Sequence, residues 1–156
     1  MAKKLDFNKI SVHEGPERSP GYLLWRVSTA WRGSIEAELS GIDLTHPQFV
    51  VLAAVGWLTR KGARVTQAAV GKMAGLDPNT TSQIIKGLER KELLIREPSS
   101  DGRVKHPILT AKGNKSLVKA IPAVEKADER FFANLGSEEL ECMMASFQKL
   151  LHHFQS

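Results

Sequence analysis

The stretch from Thr66 to Gly113 leaves this chain few ways to fold. Thr66 can cap a short helix reaching Ala74, with Val70 and Met73 on one face, and Gly75-Leu76 turn the chain behind it. Asp77 followed by Pro78 is a helix start. The carboxylate can accept from free backbone N–H groups, and the proline sits where a missing N–H costs nothing. This second helix is expected to run to about Glu92. Two partly apolar segments follow, Leu93–Glu97 and Val104–Leu109, joined by Pro98-Ser99-Ser100-Asp101-Gly102-Arg103. Asp-Gly between such segments is a strong hairpin-turn signal. Helix, turn, helix and hairpin together make a winged helix-turn-helix.

The second helix separates its faces. At 3.6 residues per turn Thr81, Ile84, Ile85 and Leu88 form one stripe, which is expected to be buried. Asn79, Gln83, Lys86 and Arg90 point the opposite way, with Thr80, Ser82 and Gly87 on the flanks. That outer face holds no acid and several side chains able to reach base edges or phosphates, which suits the major groove of double-stranded DNA. Most polar stripes are only solvated helix faces. The turn before this one and the basic hairpin after it, with Arg103 and Lys105, favour DNA. Charge is distributed accordingly: residues 60–115 hold 12 Lys/Arg against 5 Asp/Glu, whereas residues 1–59 hold 6 of each and residues 116–156 hold 4 against 6. Such concentration favours a phosphate backbone through counterion release, so binding should weaken steeply with salt.

The flanks read as helical. Residues 1–18 mix charges with Gly15 and Pro16 and form a loosely ordered arm. Ser19-Pro20 repeats the cap-and-proline signal and opens a helix to about Leu39, with Leu23, Leu24, Val27, Trp31 and Ile35 spaced for burial. Gly41 ends it. Thr45-His46-Pro47-Gln48 is a capping box before a very apolar helix through about Leu58, which should lie at the centre. Thr110 can cap a helix from Ala111 to about Asn134, with Pro122 inside it, and Ser137 can cap a last one. That last helix carries Leu140, Met143, Met144, Phe147, Leu150, Leu151 and Phe154, a stripe wider than a lone helix needs. The expected fold is mainly α with a small β-hairpin wing. Residues 45–110 make the winged unit, and residues 19–44 and 111–156 a helical dimerisation region. Surplus apolar surface on the terminal helices implies a homodimer, the alternative being a helical cap on a monomer.

Composition excludes several other classes. A chain of 156 residues with 42% hydrophobic content can bury one core. Its longest apolar run, Phe49–Leu58, is too short to span a bilayer, and Met1–Phe7 lacks a signal-peptide core. The single cysteine, Cys142, allows no internal disulfide, fits a cytoplasmic location, and is expected to be buried on its apolar helix. His13, His46, His106 and the adjacent His152-His153 show no metal-ligand spacing, so no metal or other cofactor is expected. No nucleophile–base pair, paired carboxylates or phosphate-cradling glycine loop supports an enzyme.

Several segments together resemble the MarR family of bacterial transcriptional regulators: Leu44-Thr45-His46-Pro47-Gln48-Phe49, Leu76-Asp77-Pro78-Asn79-Thr80-Thr81-Ser82, Leu88-Glu89-Arg90-Lys91, and above all Asp101-Gly102-Arg103 followed by Leu109-Thr110-Ala111-Lys112-Gly113. The resemblance covers about residues 20–154. It implies an obligate homodimer on a pseudo-palindromic operator, repression in most cases, and release by a small, often aromatic, ligand. It also implies that Arg103 enters the minor groove while Asp101 holds it in place. Arginine suits a narrow, electronegative minor groove, and the alternative for the pair is an ordinary surface ion pair. Gln83 stands where the family commonly has a basic residue, and Pro107 in the return strand should face an edge or a bulge. Trp25, Trp31, His46 and Phe49 are candidates to line a ligand site, although aromatics at helical spacing are more often core or interface. The rival function is a winged helix that docks proteins without specific DNA binding.

Overall fold

The computed structural model describes residues 5–99 and 105–155. Two single-turn 3-10 helices, Phe7–Lys9 and Pro16–Arg18, lead into α1 (Pro20–Ser40). Then come α2 (His46–Thr59), α3 (Gln67–Ala74), α4 (Pro78–Arg90), β1 (Leu94–Pro98), β2 (Lys105–Leu109), α5 (Ala111–Phe132) and α6 (Ser137–Gln155). The chain is thus mainly helical, with one antiparallel two-stranded sheet.

Local chemistry sets most of these starts. Ser19, Thr45, Thr66 and Thr110 each accept a bond from a backbone N–H in the first turn of the following helix. At α2 the box is complete: the Thr45 hydroxyl accepts from the Gln48 N–H while the Gln48 amide oxygen accepts from the Thr45 N–H. α6 departs from expectation. Ser137 is its first residue, and the cap position falls to Gly136, whose carbonyl accepts from Leu140 N–H and whose N–H donates to Glu139 Oε2 at 2.8 Å. Glycine offers no side-chain oxygen, so an acid from the first turn folds back and closes the end instead. After α1, Gly41 keeps ordinary helical geometry, and Asp43 takes the left-handed conformation at φ 56°.

α2 is the hub and packs against α1, α3, α4, α5 and β2. Its Val51, Leu52, Ala54 and Val55 are buried. Around them close Ile35 and Leu39 from α1, Val70 from α3, Ile85 and Leu88 from α4, Leu94 from β1, and Leu117, Ala120, Val124 and Ala127 from α5. The start of α5 lies against the root of the hairpin: Thr110 N–H donates to Leu93 O, and its hydroxyl to Glu92 O. Gly113 belongs to this joint, since a Cβ there would stand 2.1 Å from Leu93 O.

Two apolar stripes stay open in the single chain. The second half of the α1 stripe is covered, with Ile35 buried and Trp31 half-buried, but Leu23, Leu24 and Val27 are 45%, 55% and 44% exposed. They were expected to be buried, and among the described residues nothing covers them fully. α6 has little packing against the rest of the chain. Leu140 and Met143 are half-buried there, while Met144, Phe147, Leu150 and Leu151 are exposed. The side chain of Phe154 lies outside the described residues. Cys142 is likewise exposed on this helix, contrary to the expectation of a buried thiol.

Candidate nucleic-acid interface

The turn between α3 and α4 is built from backbone constraints. Gly75 takes the left-handed conformation at φ 67°, its N–H bonds Lys72 O, and Leu76 N–H reaches back to Gly71 O at 2.9 Å. This pair of hydrogen bonds satisfies the last carbonyls of α3 and turns the chain sharply. Asp77 then opens α4. Its Oδ1 accepts from the N–H groups of Asn79 and Thr80 at 2.9 and 3.0 Å, and its Oδ2 from the Thr80 hydroxyl. The Thr80 hydroxyl first, then the backbone donors, hold the Asp77 carboxyl below the usual carboxylate range. Acid is therefore spent on the cap rather than left on the outer surface.

α4 divides as its periodicity requires. Thr81, Ile85 and Leu88 are buried and Ile84 half-buried, with the Thr81 hydroxyl donating to Asp77 O at 2.8 Å. Asn79, Thr80, Gln83, Lys86 and Arg90 are exposed, and Ser82 and Gly87 are half-exposed. The expected outer face is thus brought together on one open surface. Among the described residues, Thr80 alone of these has its side chain engaged elsewhere, in the Asp77 cap.

The hairpin stands beside it. β1 and β2 pair in the register Leu94↔Leu109, Ile95↔Ile108, Arg96↔Pro107, Glu97↔His106 and Pro98↔Lys105. The first strand begins one residue later than expected because Leu93 still closes the turn that follows α4, its N–H bonded to Leu88 O. A two-stranded sheet has only edge strands, which accommodates Pro107, but its ring is buried rather than facing solvent. His106 Nδ1 sits 2.8 Å from Val65 O and ties β2 to the start of the α3 region. Lys105 is exposed. Asp101 and Arg103, expected at the hairpin tip, lie outside the described residues.

Two polar links had no counterpart in the sequence reading. Arg96 of β1 makes a two-pronged bond to Glu89 of α4, Nε to Oε1 at 2.8 Å and Nη2 to Oε2 at 2.7 Å. Lys91, just past α4, donates to Asp43 O, Asp43 Oδ1 and Gln48 Oε1. No local spacing rule announces either link. Only the alternation of β1, which puts Arg96 on the face of buried Leu94, hints that Arg96 faces inward.

Residues 42–103 match the model of the MarR family. YdcH of Bacillus subtilis, an HTH-type transcriptional regulator, is 33% identical over 144 residues, spanning 92% of this chain and 97% of its own length. The chain belongs to the MarR family of transcriptional regulators. An HTH-type transcriptional repressor of Mycobacterium bovis is 30% identical over 131 residues, with 83% of this chain and 91% of the relative covered. BpsR of Bordetella bronchiseptica, a regulator whose DNA binding is regulated by 6-hydroxynicotinic acid, shares the fold at a TM-score of 0.78 and 23% identity, covering 90% of this chain and 99% of its own.

In this MarR-family chain the four expected ligand-site residues divide. Trp31 and His46 meet edge to face with ring centroids 5.0 Å apart, and Trp31 Nε1 donates to Asp128 Oδ1 at 2.6 Å. Desolvation first, then the nearby Arg32 charge, pushes the His46 pKa down, against weaker upward pulls from Glu36 and Asp128. Phe49 is half-buried and packs on the core. Trp25 is 67% exposed, and six residues along a helix from Trp31 it points to a different side. A cleft of about 820 Å³ opens elsewhere, between the end of α2, β2 and α5, lined among others by Trp57, Arg60, Val65, Pro107, Leu117 and Ile121. Arg60 lies over the Trp57 ring at 3.7 Å from its centroid. Among the described residues no three His, Cys, Asp or Glu side chains gather to hold a metal, and no helix is long and apolar enough to cross a membrane.

Proposed function

We propose that this chain acts as a homodimeric repressor in the cytoplasm, binding a pseudo-palindromic DNA operator and releasing it when a small aromatic ligand binds. The observation that carries the DNA reading is the acid-free outer face of α4, exposed while its opposite stripe is anchored in the core. Asn79, Thr80, Ser82 and Gln83 lie at the N-terminal half, the part of a recognition helix that meets base edges. Lys86 and Arg90 are suited to phosphate, as is Lys105 on the hairpin. Arg103 takes the minor groove with Asp101 orienting it, a role that rests on the family resemblance.

The homodimer is supported by physical need. A helix such as α6, with six described apolar side chains and little to pack on, has no reason to persist in water unless a second surface covers it. The open half of α1 presents a matching apolar area. Residues 19–44 and 111–156 then form the dimer base, and residues 45–110 the DNA-binding unit. A twofold axis would set the two copies of α4 about 34 Å apart, in successive major grooves. A ligand that prefers one spacing over another would change affinity for DNA. The cleft between α5 and the winged unit offers room for such a ligand, and the Trp57–Arg60 stack at its wall suits an aromatic anion.

The deciding experiment is selection of bound fragments from the source genome, followed by anisotropy titrations at two salt concentrations. A palindromic site bound with a steep salt slope is expected. Weak binding with little slope and no shared sequence would favour the protein-docking alternative.

A further inference from the structure

We infer that the Glu89–Arg96 pair is a positioning clamp that fixes the hairpin's angle to the recognition helix and so sets how both meet DNA together. The inference rests on the DNA-binding reading above. A two-stranded hairpin has little stability or fixed direction of its own. Its inner face carries Leu94, Arg96 and Pro98 on one strand, with Leu109, Pro107 and Lys105 opposite. Along β1 burial falls from buried Leu94 to half-buried Arg96 to exposed Pro98. The pair thus stands where apolar anchoring gives out.

Its geometry suits the task. Both oxygens of Glu89 accept from Arg96, at 2.8 and 2.7 Å. A planar fork on a planar carboxylate fixes tilt as well as distance, which an ammonium cannot do. With the side chains 22% and 27% exposed the pair is mostly buried and two-pronged, so breaking it lowers folding stability modestly as well as freeing the hairpin. The clamp also neutralises the one acid of α4, near the end where phosphate would pass.

The test uses the full-length chain and its selected operator, with Arg96→Lys, Glu89→Gln and the double variant. Each single change is expected to weaken specific binding roughly tenfold, with a modestly lowered melting temperature and sedimentation as in the wild type. The double variant should be no weaker than either single one, because both break the same unit. Hydroxyl-radical footprints should lose the hairpin's protection and keep that of α4. Removing an acid beside a polyanion ought by itself to tighten binding, so weakening by Glu89→Gln is the telling sign. Four results would overturn the clamp: wild-type or tighter affinity for Glu89→Gln, losses that multiply in the double variant, a salt slope lowered by about one in a further, charge-removing variant Arg96→Gln, which would mark Arg96 as a phosphate ligand, or unfolding of both single variants, which would make the pair a fold determinant. Failure of the wild-type chain to select any operator would instead bring down the DNA-binding reading, and the clamp with it.

Discussion

Gly113 has no room for even a methyl group, because a Cβ there would press on the Leu93 carbonyl, which is backbone and cannot swing aside. Gly113→Ala is therefore expected to cost about 3 kcal/mol, at the upper end of overpacking, seen as a lower urea midpoint at unchanged m-value. His46 responds to acid instead. Its folded pKa lies below the ordinary 6.5, so the unfolded chain takes up a proton more readily. Stability is then full above the ordinary value and declines as pH falls below it. Melting followed from pH 7.5 down to 5 should show that decline, and His46→Gln should flatten it. A decline of equal size in the variant would assign it to other groups. The capping residues other than that of α6 were legible in the sequence because each acts within four positions of itself. Trp31–Asp128, 97 residues apart, and Lys91–Asp43, 48 apart, were not, because only the assembled helices bring them together.

Elements were legible where period and cap agreed. α4 carries Asp77-Pro78 at its head and a buried stripe at helical spacing, and it forms as that pattern requires. Reading failed where nothing among the described residues covers a stripe. Leu23, Leu24 and Val27 have the spacing of a buried face, yet spacing cannot say which molecule supplies the other side. The candidate site was legible on α4 for the same reason α4 was, and poorly so in the ligand region, where Trp25 shares composition with Trp31 but not its direction. Lys86→Glu puts a carboxylate on the open face and should abolish specific binding, by at least 100-fold on the scale of a lost contact plus a new repulsion, while melting stays unchanged because Lys86 is exposed. Anisotropy titration checks it, and retained affinity would remove this face from the interface.

At the scale of the molecule, the open stripes of α1 and α6 make a test of assembly that need not damage the fold. Phe147 and Leu150 are 41% and 54% exposed in the single chain. Phe147→Glu with Leu150→Glu should therefore leave the winged unit intact while moving sedimentation from twice 17.2 kDa toward that of one chain. DNA affinity should fall as well, since two half-sites are then bound singly rather than through one rigid pair. A wild-type chain already monomeric at micromolar concentration would refute the paired architecture.

The bare flank of α6 reaches further than assembly. Where covering that flank needs another molecule, folding becomes a second-order event, and a dilute sample melts sooner than a crowded one by mass action. A cell holding few copies would then carry a standing fraction with α6 frayed and open to proteases. Abundance would thus feed back on lifetime, and the regulator's own dose would set how long each copy survives.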